Sequence, residues 1–132
     1  MRGLDWSDVF IVFAVSHLVG DFVLQTEWQA QHKRGGLGPD PVARRALAAH
    51  VFTYTLAFVP AFVWLWGDLG PGVLALAALL AGTHWVQDDG RALAAYARSV
   101  KHTDPVQHPA VLAATDQSLH AVVLLGLALL TT

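Results

Sequence analysis

Cysteine is absent from the chain, which excludes disulfides and thiolate metal sites. Charge is scarce: Asp, Glu, Lys and Arg make up 14% of the residues, against about 25% in an ordinary soluble domain. No basic tract occurs and the formal net charge is -2, so nothing supports nucleic acid as a partner. No long segment carries the polar outer face that each helix of a soluble four-helix bundle needs. Asp5 and Asp8 follow Arg2 at the N-terminus and no small-residue cleavage site follows the first apolar run. That run therefore reads as a retained span rather than a cleaved signal peptide.

Apolar sequence is what remains. Hydrophobic residues make up 55% of the 132 positions, and the mean hydropathy is +0.46. The length bounds a single domain, 1–132. The charges cluster in short stretches, as expected when a charge in hydrocarbon costs about 2.5–3.5 kcal/mol or more. Four apolar stretches lie between them, at about 6–25, 46–66, 71–90 and 110–130. Each has about the 20 residues that cross a bilayer core. The expected fold is all-α, a bundle of four transmembrane helices with a possible kink at Pro60. Gly67, Asp68, Gly70 and Pro71 mark a tight turn between the second and third, and Gly35, Gly36, Gly38, Pro39 and Pro41 mark a flexible first connection.

Lysine and arginine placement sets an expected orientation. Lys33, Arg34, Arg44, Arg45, Arg91, Arg98 and Lys101 lie in the first and third connections, and only Arg2 lies on the other side. Those connections belong in the cytoplasm, with both termini on the non-cytoplasmic side. Trp6, Trp64 and Trp66 then fall at the outer interface and Trp28 at the inner one.

Ionisable residues interrupt the apolar stretches. His17 and Asp21 stand four apart in the first, His84 and Asp88 in the third, and Asp116 and His120 in the fourth. That spacing puts both members on one helix face. His50 stands in the second, with Tyr54 in the same relation. The positive-inside rule, applied without reference to these residues, places all seven at one depth on the cytoplasmic side. A single such pair is weak; a buried hydrogen-bond network that joins helices accounts for it. Three pairs and a fourth histidine point further, because ionisable groups in a membrane are costly and normally functional.

Neutral imidazole and carboxylate are the ligands of zinc, manganese and ferrous iron. The expected ligands are His17, Asp21, His50, His84, Asp88, Asp116 and His120. They exceed the needs of one tetrahedral zinc and would suit one or two divalent ions, the second case with a bridging carboxylate. Gln25, Tyr54, Gln87 and Gln117 are expected to orient these ligands, and Asp89 to face away on the loop side. His32, His102 and His108 read as solvated loop histidines. Arg91 and Lys101, with Lys33 and Arg34, are candidates to receive an anionic headgroup.

The string from His17 through Asp21 to Gln25 resembles the opening motif of a family of small bacterial and phage membrane proteins, domain-of-unknown-function family 3307. His50, the His84–Asp88 pair and the run Asp116-Gln117-Ser118-Leu119-His120 continue the resemblance over nearly the whole chain. Arg91 stands where lysine is expected in many relatives. The resemblance implies a multi-pass protein of the bacterial inner membrane and no particular activity. More distantly, the His/Asp pairs are similar to those of membrane-bound metal-dependent hydrolases.

These observations predict a metal-dependent hydrolase acting on a phosphate or ester group, on an anionic or lipid-linked substrate at the cytoplasmic leaflet. Water would be the nucleophile, with Asp88 or Asp116 as general base. The alternatives are a proton- or metal-ion-linked transporter, which four spans would support only as a homo-oligomer, and a structural protein with a hydrogen-bonded core.

Overall fold

Helices begin where the sequence supplies caps. Asp5 accepts a hydrogen bond from the Ser7 N–H at 2.9 Å and opens α1, Trp6–Leu18. The computed structural model describes residues 3–132; Arg2, counted above toward orientation, lies outside the described residues. α1 does not end at Leu18 but widens into one π-helical turn, Val19–Val23, closed by a bond from the Leu24 N–H to the Val19 carbonyl. The first connection then holds a short α2, Glu27–His32, started by a reciprocal cap between Thr26 and Gln29. This connection was read from its glycines as a flexible loop, although the Thr-x-x-Gln signature was present in it.

α3 spans Pro41–Ala57 and α4 Val59–Leu69, and the two are bent by 57°. Pro60 is the cause, since it has no N–H for the carbonyl one turn back. The second apolar stretch is therefore two helices joined at a break. α5 spans Gly72–Asp89 and stops at Gly90, which takes the left-handed φ of +78° that glycine tolerates best. α6, Arg91–Ser99, leads to α7, Pro109–Leu129. Among the described residues every element is helical.

α1 packs on α7, α7 on α5, α5 on α3, and α3 on the π turn of the first helix, which closes a four-membered ring. One end of the ring is filled by apolar side chains, among them Phe13, Phe58, Leu65, Leu76, Leu80 and Leu124. The other end is polar and holds the His/Asp residues. α6 lies against α5 and α7, with Leu93 and Ala97 on Leu112.

The outside of the ring is apolar as well. Ile11, Phe22, Phe52, Val63, Leu74 and Val122 are each more than half exposed, and only 22% of the apolar stretch of α7 is buried. Among the described residues, two helical segments are long and apolar enough to cross a membrane, Trp6–Val23 and Pro109–Leu129, and a third if the bent pair α3–α4 counts as one. The expected third stretch, now α5, is not among them. Its last turns carry His84, Gln87, Asp88 and Asp89, which offset the apolar half. Where four spans were expected, the apolar helices number two or three.

Candidate metal centre

Each helix of the ring contributes to the polar end. Asp21 comes from the π turn, His50 from α3, His84 and Asp88 from α5, and Asp116 and His120 from α7. His50, His84 and His120 are at most 2% exposed, and Asp21 and Asp88 5%, so water cannot solvate their polar atoms.

Four atoms converge. The Nε2 atoms of His50 and His84 are 3.0 Å apart. Asp21 Oδ1 lies 3.2 Å from the first and 3.3 Å from the second. Asp88 Oδ2 lies 2.8 Å and 3.3 Å from the same two nitrogens. Around a tetrahedral ion with bonds of about 2.0–2.1 Å, neighbouring ligand atoms stand about 3.3–3.4 Å apart, and the observed separations fall at or just inside that edge. A hydrogen-bond network is organised differently, because one N–H satisfies one acceptor. Here His50 Nε2 has three neighbours, while Asp21 Oδ1 is buried without a hydrogen-bond partner. The buried Asp/His groups could thus hold a metal ion.

Asp88, Asp116 and His120 form a second group beside the first. Asp88 belongs to both: Oδ2 faces His50 and His84, and Oδ1 lies 3.1 Å from His120 Nε2.

His17 is in neither group. Its Nε2 donates to Gln117 Oε1 at 2.9 Å, and its Nδ1 accepts from the Tyr54 hydroxyl at 3.0 Å. Both nitrogens are satisfied, and Asp21 Oδ2 is 3.7 Å away. His17 and Asp21 thus stay near each other, as their spacing predicts, but only Asp21 joins the converging atoms. The π turn begins between them and carries Asp21 to His50 and His84. Gly20 makes this possible, since a Cβ there would lie 2.6 Å from Tyr54 Cδ2.

Tyr54 and Gln117 do surround the acids and histidines as expected. The Tyr54 ring stacks on His84 with centroids 3.4 Å apart. The Gln117 amide nitrogen points at Asp21 and Asp116, at 3.5 Å and 3.4 Å. Gln25 does not touch these groups directly; it accepts from Lys33 Nζ. Lys33 is the residue whose place the sequence did not reveal. Its ammonium lies 2.6 Å from Asp88 Oδ2.

A cleft of about 210 Å³ opens beside the two groups, lined by Asp21, Gln25, Gln87, Asp88, Asp116 and Gln117 and by the cations Lys33 and Arg34. Arg91 and Lys101, expected to bind an anion, do not line it. Arg91 pairs with Asp89 at 2.7 Å, and Lys101 donates to Thr115 at 2.8 Å. Asp89 also accepts from the Leu37 N–H at 2.9 Å and so ties the first connection to the end of α5. His32, His102 and His108 are exposed.

No curated protein and no solved structure matches the chain. The family model described as "Protein of unknown function (DUF3307)" matches residues 9–132, so the chain, with all of these acids and histidines inside the matched stretch, belongs to that family.

Proposed function

We propose that this protein is a membrane-embedded, metal-dependent hydrolase that acts on a phosphate or ester group at the cytoplasmic leaflet. The observation that carries the reading is the convergence of Asp21 Oδ1, His50 Nε2, His84 Nε2 and Asp88 Oδ2 on one point. The donor set fits zinc, and also manganese or ferrous iron. Such an ion would supply Lewis acidity beside the cleft.

The chain's own residues supply the rest. Lys33 and Arg34 bring positive charge to a cleft of about 210 Å³, the size of a phosphate group with a few waters rather than of a drug-sized molecule. Of the two carboxylates expected as general base, Asp88 is occupied by His50, His120 and Lys33. Asp116 lines the cleft with its side chain 25% exposed, and we assign it to accept the proton of the attacking water. Tyr54 and Gln117 hold the ligands in place, as outer hydrogen-bond partners do at metal sites.

The four-span arrangement belongs to this reading. α5 is 18 residues long, about 27 Å at 1.5 Å per residue, and its polar turns face the interior of the ring. The seven cations of the first and third connections support a cleft that opens on the cytoplasmic side of an inner membrane, where anionic or lipid-linked substrates would reach it. A transport pathway is disfavoured, because the opposite half of the ring is packed with Phe13, Phe58, Leu65, Leu76 and Leu124 and offers an ion no polar step.

The test is elemental analysis of the purified protein, followed by hydrolysis assays on phosphomonoesters and phosphodiesters, free and lipid-linked. Bound zinc, manganese or iron, and a hydrolysis rate that disappears on chelation and returns with the metal, are expected. A folded preparation that stays empty when each metal is supplied rules the reading out.

A further inference from the structure

We infer that the protein holds a second divalent cation, bound by His120 Nε2, Asp88 Oδ1 and Asp116, with Asp88 bridging it to the first. This rests on the metal reading above and deepens it.

The argument begins with the tautomer of His120. Its Nδ1 lies 2.8 Å from the carbonyl oxygen of Asp116, one turn earlier on α7. A carbonyl only accepts, so Nδ1 carries a proton, and in the neutral ring that histidine must have to bind a metal the lone pair lies at Nε2. That atom is buried, has no hydrogen-bond partner, and stands 3.1 Å from Asp88 Oδ1. A lone pair and a carboxylate oxygen at that distance repel unless a proton or a metal ion lies between them. A metal ion meets the need, and Asp116, already grouped with these two residues, adds one carboxylate oxygen as a ligand and keeps the other for the proton of the attacking water. The Nδ1–carbonyl bond also has the form that orients metal-bound histidines.

Asp88 has the geometry of a bridge. Its two oxygens face opposite groups, Oδ2 toward His50 and His84 and Oδ1 toward His120. Ions held by one carboxylate in this way stand about 3.5–4 Å apart, the spacing that serves attacking and leaving oxygens in displacement at phosphorus. Three carboxylates, Asp21, Asp88 and Asp116, and two cations, Lys33 and Arg34, line the cleft, so two divalent ions would leave it positive, which matches an anionic substrate such as a phosphate monoester.

Manganese loading of the purified full chain in detergent reads this directly. The wild type should bind two ions per chain after desalting, and its electron paramagnetic resonance spectrum should show exchange coupling. His120→Gln and Asp116→Asn should each bind one ion with an uncoupled signal, and the near-isosteric Asp116→Asn guards against loss of fold in the first variant. One ion per chain in the wild type, or two in both variants, overturns the second site and leaves the first intact. No bound ion in folded wild type overturns the reading on which it rests.

Discussion

Lys33 Nζ and Asp88 Oδ2 stand 2.6 Å apart, joining the first polar connection to the carboxylate at the centre of the site. Asp88 is 2% exposed at its side chain and Lys33 15%, so removing the lysine strands a buried charge. Lys33→Met should cost about 1.5–3 kcal/mol in the metal-free protein and less in the loaded one, where the ion compensates. Arg91→Gln, at a pair in which the arginine is 58% exposed and Asp89 keeps the Leu37 N–H, should cost about 1 kcal/mol or less and leave metal content unchanged. Thermal unfolding of both variants, with and without metal, checks the contrast. Equal losses in the two variants would mean that Lys33 contributes no more to the polar end than a pair at its edge does.

A second prediction concerns the π turn. Gly20→Ala places a methyl group 2.6 Å from Tyr54 Cδ2 and 3.3 Å from Tyr54 Cα. The Tyr54 ring cannot simply move aside, because it stacks on His84. Overpacking of this kind costs about 1–3 kcal/mol, and the displaced ring should disturb His84 and lower metal affinity. A melting temperature and metal affinity both equal to wild type would mean that the first helix does not need its close approach to α3.

Orientation is testable by labelling. The wild-type chain contains no cysteine, so single cysteines report without background. Pro39, Asp68 and Val106 are exposed, whereas Gly36 is unsuitable, since a Cβ there would lie 2.5 Å from Leu47 Cβ. In intact cells an impermeant thiol reagent should modify Asp68→Cys and spare Pro39→Cys and Val106→Cys. The reverse pattern would move the cleft to the other face of the membrane.

How much of this could be read beforehand varies by residue. The i,i+4 spacing of His84 with Asp88 and of Asp116 with His120 survives in the structure because α5 and α7 stay α-helical through those turns. The bend at Pro60 was also legible, since the missing N–H is local. His17 stays 3.7 Å from Asp21 as its spacing predicts, but its place outside the converging atoms was not legible, because a π turn leaves no periodicity signal and depends on packing against Tyr54. Lys33 was hidden for another reason: it reaches Asp88 across 55 residues of sequence, from a segment whose glycines suggested disorder of direction. The weak third stretch follows from its job, as the acids and histidines that build the site also lower its hydropathy.

The last prediction separates histidines that bind a metal from one that orients its neighbours. His50 and His17 are both buried and both lie among carboxylates, so loss of packing alone would affect them similarly. Their hydrogen bonds differ. His17 is satisfied by Tyr54 and Gln117, whereas His50 Nε2 faces Asp21, Asp88 and His84 at once. His50→Gln should therefore abolish stoichiometric binding at the first position. His17→Gln should keep the stoichiometry and weaken affinity by about 10–100-fold, the range for outer partners of a metal site. Acid should reproduce the first effect. Histidine binds metal as the neutral base, so protons compete with the ion and affinity should fall as the solution is acidified. Metal titrations of both variants at pH 7.5, and of the wild type from pH 7.5 to 5, measure all three. Equal loss in the two variants, or binding indifferent to acid, would mean that the bound ion does not sit on His50 and His84.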